Sequence, residues 1–337
     1  MRHFISMLDS DPTSLAAIVR LARALKAGKA REEASILRGK ILSMVFFNPS
    51  LRTRASFEAA MMRFGGSAIT MNVGGDTWNL EHREGVVMDA DKAEHVKEAA
   101  PVLSRYFDVL GVRTFGGLKD AEEDQADALI RSFARYCTVP MVSLESAMEH
   151  PCQGLADWMT VDERFSGAAG RNFTLTWAPQ AKPTPMAVPN SAALAAAAAG
   201  CNLTIAHPPG YELHAHVVDK ARSWCAARGT VLRITHDQDE ACASADVVYV
   251  KSWGSPQFYG NIEAQHESFR QHAHWMVDTR HLRREQSILM HCLPVRRNVV
   301  ITDAALDDRR CAVVDQAENR MWIQAAILID LLRHANK

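Results

Sequence analysis

The amino-acid sequence predicts an α/β protein of two open, mostly parallel α/β domains, and three observations carry that expectation. Short β-branched or aromatic runs alternate with longer helical stretches along the chain, the pattern of parallel strands joined by crossover helices. The 337 residues, 47% of them hydrophobic, supply material for about two domains with cores of their own. No internal repeat or low-complexity segment interrupts the pattern.

The runs are taken in order. "KILSMVFF" (40–47), "SAITMNV" (67–73), "VLGVRTF" (109–115) and "VPMVSL" (139–144) predict strands of the first unit. "FTLTWA" (173–178), "NLTIAH" (202–207), "VLRITH" (231–236), "ADVVYVKSW" (245–253), "QSILMHCL" (286–293) and "CAVVDQ" (311–316) predict those of the second. A boundary falls near "MEHPCQG", where a proline interrupts an incipient helix. "SAALAAAAAG" predicts a tightly packed helix closed by Gly200. The last run, "NRMWIQAAILIDLLRHA", repeats its apolar positions every 3.6 residues and predicts a helix that returns to the first domain.

A formal charge of −1 argues against a nucleic-acid partner held by a basic surface, so basic clusters are read as sites. Seven cysteines (137, 152, 201, 225, 242, 292, 311) lack paired metal-type spacing, which predicts reduced thiols and a cytoplasmic protein. "MRHFISMLDSDPTSL" does not read as a secretory leader, and no stretch nears the roughly 18 apolar residues of a membrane span.

One such cluster is "FFNPSLRTRASFEAA" (46–60). Phe46 and Phe47 end a buried strand, Asn48-Pro49 turn, and Ser50 is placed to cap the next helix, whose first N–H groups then point outward. A helix start of this kind attracts anions before any side chain is counted. Arg52 and Arg54 add planar forks suited to phosphate oxygens, and Ser50 and Thr53 add hydroxyls. The glycines and lysine of a Walker loop are missing. Three later stretches supply matching parts: "LGVRTF" ends a strand with Arg113, "EHPCQG" offers His150 and Gln153, and "LMHCLPVRRN" offers His291, Cys292, Leu293, Pro294 and Arg296. All lie at predicted carboxyl ends of strands, where ligands bind in open α/β sheets.

"SLRTR", "HPCQ" and "HCLPVR" resemble, in order, the motifs of the aspartate/ornithine carbamoyltransferases, over essentially the whole chain. That resemblance implies a carbamoyl-phosphate domain (1–149, with the helix 319–337 packed back on it), an amino-acid domain (150–318), and a homotrimer with shared active sites. It implies that Ser50, Leu51, Arg52, Thr53 and Arg54 bind the phosphate together with Arg320, and that Thr53, Arg113 and His150 polarise the carbonyl oxygen. Pro151, Cys152 and Gln153 belong to the same binding set, and Gln153 with the carbonyls near Cys292 and Leu293 orients the carbamoyl NH2. Thr53, Arg113, His150 and Cys292 are the expected catalytic group. No cofactor or metal is implied.

The acceptor amine follows from departures within the family. The Asp-x-x-x-Ser-Met-Gly loop that takes the α-ammonium of ornithine is absent, and "ADVVYVKSWG" places Lys251 and Trp253 there. A lysine repels an α-ammonium but suits an acylated nitrogen with a free carboxylate. The sequence is similar to the N-acetylornithine and N-succinylornithine carbamoyltransferases of arginine biosynthesis. That similarity assigns Glu145, Gln180, Lys251, Leu293 and Arg296 to the N-acylornithine, and Trp78 to the neighbouring subunit's carbamoyl phosphate. Ala93, also from the neighbour, stands where acetyl-specific enzymes carry glutamate and succinyl-specific ones proline, and Val300 replaces a modifiable lysine. The balance tips towards succinylornithine, although Gln180 replaces a histidine and Lys182 has no assigned target. The rivals are an enzyme for free ornithine or another diamine, a non-catalytic phosphate-binding relative, and a dinucleotide oxidoreductase, which lacks its Gly-x-Gly-x-x-Gly turn.

Overall fold

In the computed structural model, which describes residues 3–335, every paired strand runs parallel to its neighbour. The first half contributes β1 (Ile41–Phe46), β2 (Ser67–Asn72), β3 (Asn79–Glu81), β4 (Lys92–His95), β5 (Val109–Arg113) and β6 (Met141–Glu145). The second half contributes β7 (Asn172–Trp177), β8 (Asn202–Ala206), β9 (Leu232–Thr235), β10 (Val247–Lys251) and β11 (Ile288–Met290). They form one sheet in the order β2-β1-β5-β6, a second in the order β11-β10-β7-β8-β9, and a small ribbon of β3 and β4. The central strands β5 and β10, and β6 at the end of its sheet, are buried at every residue, as expected when helices cover both faces. The edge strand β2 keeps a partly exposed, alternating pattern.

The ribbon has no counterpart in the sequence reading, because its strands are short and mostly polar. One predicted strand is replaced: "CAVVDQ" makes only an isolated bridge between Cys311 and Leu289, and Val313 opens the last helix, Val313–Ala335. A short apolar run suits either structure, and here the helix gains a partner along its whole length. Residues 336 and 337 of the expected helix lie outside the described residues. The expected interruption at Pro151 is also corrected. Pro151 occupies the first position of the helix Pro151–Phe165, where a missing N–H costs nothing, so it starts the helix.

The last helix and the helix Pro151–Phe165 join the halves. The last helix packs on Pro151–Phe165 and also on Pro12–Lys26 and Leu51–Arg63. Helix Pro151–Phe165 in turn packs on Ala187–Ala199, closely enough that a Cβ on Gly154 would stand 2.7 Å from the Ser191 carbonyl oxygen. The alanine run permits that approach, and Gly200 ends it with φ +82°. One apolar cluster consequently runs from Leu42 and Met44 through Leu155 and Ile323 to Phe173 and Leu175. The carboxyl ends of β1, β5 and β6 are thereby set facing those of β7, β10 and β11.

Candidate active site

Between these strand ends lies a cavity of about 210 Å³. Ser50 caps the helix Leu51–Arg63 by accepting from the Thr53 N–H at 3.2 Å, which aims the first turn into the cavity. Arg113 is the last residue of β5, and a register shift at that point sets it opposite Glu145 of β6, the use to which bulges beside sites are put. The Arg113 guanidinium pairs with the Glu145 carboxylate and reaches the Thr53 hydroxyl at 3.4 Å. Arg320, from the last helix, donates to the same hydroxyl at 2.6 Å and to Gln153 Oε1 at 3.2 Å. Lys251, at the end of β10, donates to the Ser252 carbonyl at 3.0 Å and to Thr184 at 3.4 Å.

Four cations, Arg52, Arg113, Lys251 and Arg320, therefore line one cavity beside one carboxylate, Glu145. Burial pulls the Arg52 and Arg320 guanidiniums below their ordinary value. It also holds His150 well below the imidazole range, helped by Arg320, Arg113 and Arg52, so that His150 is neutral at pH 7. Glu145 is pushed up by burial against the pull of Arg113, Arg320 and Lys251. The Nε atoms of Arg52, Arg113 and Arg320, Nδ1 of His150 and Oε1 of Gln180 are buried without a partner. Buried polar atoms are nearly always satisfied, and these five exceptions fall on residues that line one cavity.

Behind the cavity, Asp157 accepts from Gln153 Nε2 at 2.7 Å and from Gln316 Nε2 at 2.6 Å. With its amino group so engaged, Gln153 presents its carbonyl oxygen to Arg320 and the cavity. Gln316 Oε1 then accepts from the His291 N–H at 3.0 Å, and His291 Nδ1 accepts from the Leu293 N–H at 2.9 Å. The "HPCQ" and "HCLP" stretches are thus held by one buried network. The Leu293–Pro294 bond is cis and Leu293 has φ +57°.

Of the residues picked out in the sequence, Ser50, Arg52, Thr53, Arg113, Glu145, His150, Gln153, Gln180, Lys251, Cys292, Leu293 and Arg320 line this cavity. Several do not. Leu51 is 81% exposed, and Arg54 turns outward to Glu58 at 3.0 Å. Pro151 and Cys152 are buried in the first turn of their helix, the thiol 3.6 Å from the Ser143 carbonyl. Arg296 is exposed, as is Lys182. Burial raises the Cys292 thiol, so at neutral pH it is an uncharged wall rather than a nucleophile. Trp78 sits beside the β3–β4 ribbon and Ala93 on it, with Trp78 Nε1 donating to Glu94 at 2.8 Å; neither lines its own chain's cavity. Val300 is fully buried among Val250, Val277 and Leu289. Sequence reasoning passed over Phe115, whose ring lies 4.7 Å from the Arg113 guanidinium, and also Thr184, Asp157 and Gln316. Their only signal was position: one residue after the next from Arg113, inside the proline-rich loop, and on the inward faces of two helices.

Two parallel α/β units meeting at a buried, multiply cationic cavity define an enzyme that handles a small anion at a domain interface. Residues 2–163 match the carbamoyl-P binding domain of aspartate/ornithine carbamoyltransferase, and residues 185–331 its Asp/Orn binding domain. The chain belongs to the aspartate/ornithine carbamoyltransferase family. It is 40% identical to an N-acetylornithine carbamoyltransferase of Xanthomonas campestris pv. campestris, over 98% of each chain. An N-succinylornithine carbamoyltransferase of Bacteroides thetaiotaomicron is 36% identical over 88% of each. The crystal structure of an acetylornithine transcarbamylase complexed with acetylcitrulline superposes with a TM-score of 0.94 at 40% identity, covering 98% of this chain and 99% of that one.

One buried acid beside the site yields a pH prediction. Glu149, immediately before His150, is held by the Ser6 hydroxyl and by the Met7 N–H at 2.8 Å, and burial raises its carboxyl from 4.5 to about 7. A raised carboxyl favours the fold below its unfolded value and loses that contribution as pH rises through the folded value. Glu149→Gln lacks this titration. In urea unfolding its stability relative to the parent should therefore improve steadily from pH 4.5 to 7 and stay level above; a flat difference across that range would contradict the assignment.

Proposed function

We propose that this enzyme transfers the carbamoyl group of carbamoyl phosphate to the δ-amine of an N-acylornithine, giving N-acylcitrulline and phosphate, as a step of arginine biosynthesis. The observation that carries the reading is the cation cluster with unsatisfied donors, which fits a doubly negative donor carrying a carbonyl. Arg52, Arg320 and the capped helix start hold the phosphate, with Ser50 and Thr53 supplying short contacts. Thr53, Arg113 and neutral His150 direct hydrogen bonds at the carbonyl oxygen, where negative charge grows during attack. Gln153, its carbonyl fixed outward by Asp157, accepts from the carbamoyl NH2. The δ-nitrogen forms a bond to the carbonyl carbon, the bond from that carbon to the bridging phosphate oxygen breaks, and the amine's proton leaves with phosphate. A free alkylamine, with a pKa of about 10.4, is mostly protonated at neutral pH; the positive cavity disfavours that form and admits the neutral one.

Lys251 faces the acceptor side and selects a carboxylate over an α-ammonium. For the acyl group we propose succinyl. Overall identity is higher to the acetylornithine enzymes, but one side chain facing the acyl group discriminates more directly than the rest of the chain. Ala93 offers no repulsion to a second carboxylate. A variant of an acetylornithine enzyme with one glutamate replaced by alanine has been solved with carbamoyl phosphate and N-succinyl-norvaline. We further propose a cytoplasmic homotrimer in which Trp78 and Ala93 serve the neighbour's cavity. Support comes from Trp78 being 60% exposed on an apolar recess with Val102 and Tyr106, and from cysteines that are all free.

Carbamoyl transfer measured side by side on N-succinylornithine, N-acetylornithine and ornithine should give the highest kcat/KM with the first and negligible turnover of the last; comparable turnover of ornithine would sink the reading. Arg52→Ala should lower kcat/KM for carbamoyl phosphate by roughly 10²-fold or more, and near-normal activity would put the clamp elsewhere. Ala93→Glu should shift preference towards the acetyl substrate, whereas an unchanged ratio would assign the choice to another residue. Trp78→Ala and Arg113→Ala subunits, each inactive alone, should regain activity when reassembled together, and failure to do so would rule out shared sites.

A further inference from the structure

The loop that follows Arg113 and the loop that follows Lys251 belong to different domains, yet they meet at their tips. The Tyr259 hydroxyl donates to Asp124 Oδ2 at 3.2 Å, and the Gly260 N–H donates to the Leu118 carbonyl at 2.9 Å. Asp124, on the short helix Ala121–Ala126 that closes the first loop, also organises that loop, accepting from the Gly117 N–H at 2.7 Å and the Leu118 N–H at 2.8 Å. Gly260 has φ +76°, and a Cβ there would stand 3.2 Å from the Lys119 carbonyl oxygen. The contact thus depends on a glycine for two separate reasons: a left-handed backbone and close approach to the other domain. Burial and the neighbouring Asp124 raise the Tyr259 phenol, so it remains a donor.

Each loop is anchored at its base to its own half. Phe115 N–H donates to Asn48 Oδ1 at 2.8 Å beside the clamp helix, while Trp253 Nε1 donates to the Tyr211 carbonyl at 2.8 Å and the Ser255 N–H to Gln265 at 2.7 Å. Neither Tyr259 nor Asp124 lines the catalytic cavity. We propose that Tyr259 and Asp124 form a clasp across the domain cleft that fixes Lys251 relative to Arg113, making Tyr259 a positioning residue for the encounter of acceptor amine and carbamoyl donor. The clasp joins the tip of the loop that starts at a donor-side cation to the tip of the loop that starts at an acceptor-side cation. Its kinetic expression rests on the function proposed above.

Tyr259→Phe removes only the hydroxyl, and the ring has room as before. The KM for N-acylornithine should rise about fivefold, the scale of one lost hydrogen bond, while the Kd for carbamoyl phosphate measured calorimetrically without amine stays within twofold of the parent. Amide hydrogen exchange should accelerate in residues 115–120 and 254–261 together. Gly260→Ala, which pushes the backbone off Lys119, should reproduce both effects. An unchanged KM, faster exchange in 254–261 alone, or an equal loss of carbamoyl-phosphate affinity would each overturn the clasp. The exchange measurement needs no substrate, so a parent enzyme that fails to use N-acylornithine would refute the proposed function while leaving the clasp open to test.

Discussion

Uncompensated positive charge inside a cavity is the constraint from which the rest of this structure follows. Arg52, Arg113, Lys251 and Arg320 repel one another, and Glu145 neutralises only part of their field. Removing such groups from water is expensive, which is why burial lowers Arg52 and Arg320. Three of the four cations, Arg113, Lys251 and Arg320, are held in place by hydrogen bonds to neighbouring acceptors. The Thr53 hydroxyl alone receives both Arg113 and Arg320. A bound dianion would relieve the repulsion and draw both domains onto itself, so donor binding and domain apposition are parts of one electrostatic event.

Such a cluster needs rigid backing, and the buried network round Asp157 provides it. Its carboxyl is raised to about 7, chiefly by burial, yet it receives two amide donors that fix Gln153 on one side and the His291 backbone, through Gln316, on the other. These residues come from the helix Pro151–Phe165 and the last helix, which pack against each other. Packing, polar satisfaction and the orientation of the reactive groups are therefore one arrangement, since a shift of either helix would unseat Gln153 and Arg320 together.

Much of this was legible before any fold was known. Alternating apolar runs reported the parallel sheets, since buried strands need continuous β-branched segments and crossover helices need a 3.6-residue repeat. The cap at Ser50 and the strand-end positions of Arg113 and His291 were readable because they depend on local chemistry. What failed to show was equally physical. "CAVVDQ" suits strand or helix, and only the neighbouring helices settled it. Arg54 looks identical to Arg52 in sequence, but two residues along a helix is a rotation of about 200°, which sends one side chain into the cavity and the other out to Glu58.

The chain alone determined the chemistry on offer: an anion-seeking helix start, guanidinium forks at strand ends, an amide and an imidazole, and a lysine in place of an acidic acceptor loop. Each is a property of a few consecutive residues. Tertiary structure decided which of them share a cavity, because that depends on contacts between residues as far apart as Thr53 and Arg320, separated by 267 positions. It also decided protonation, since the same histidine that would titrate near neutrality in water is held neutral at His150 by burial and by three arginines drawn from elsewhere in the chain.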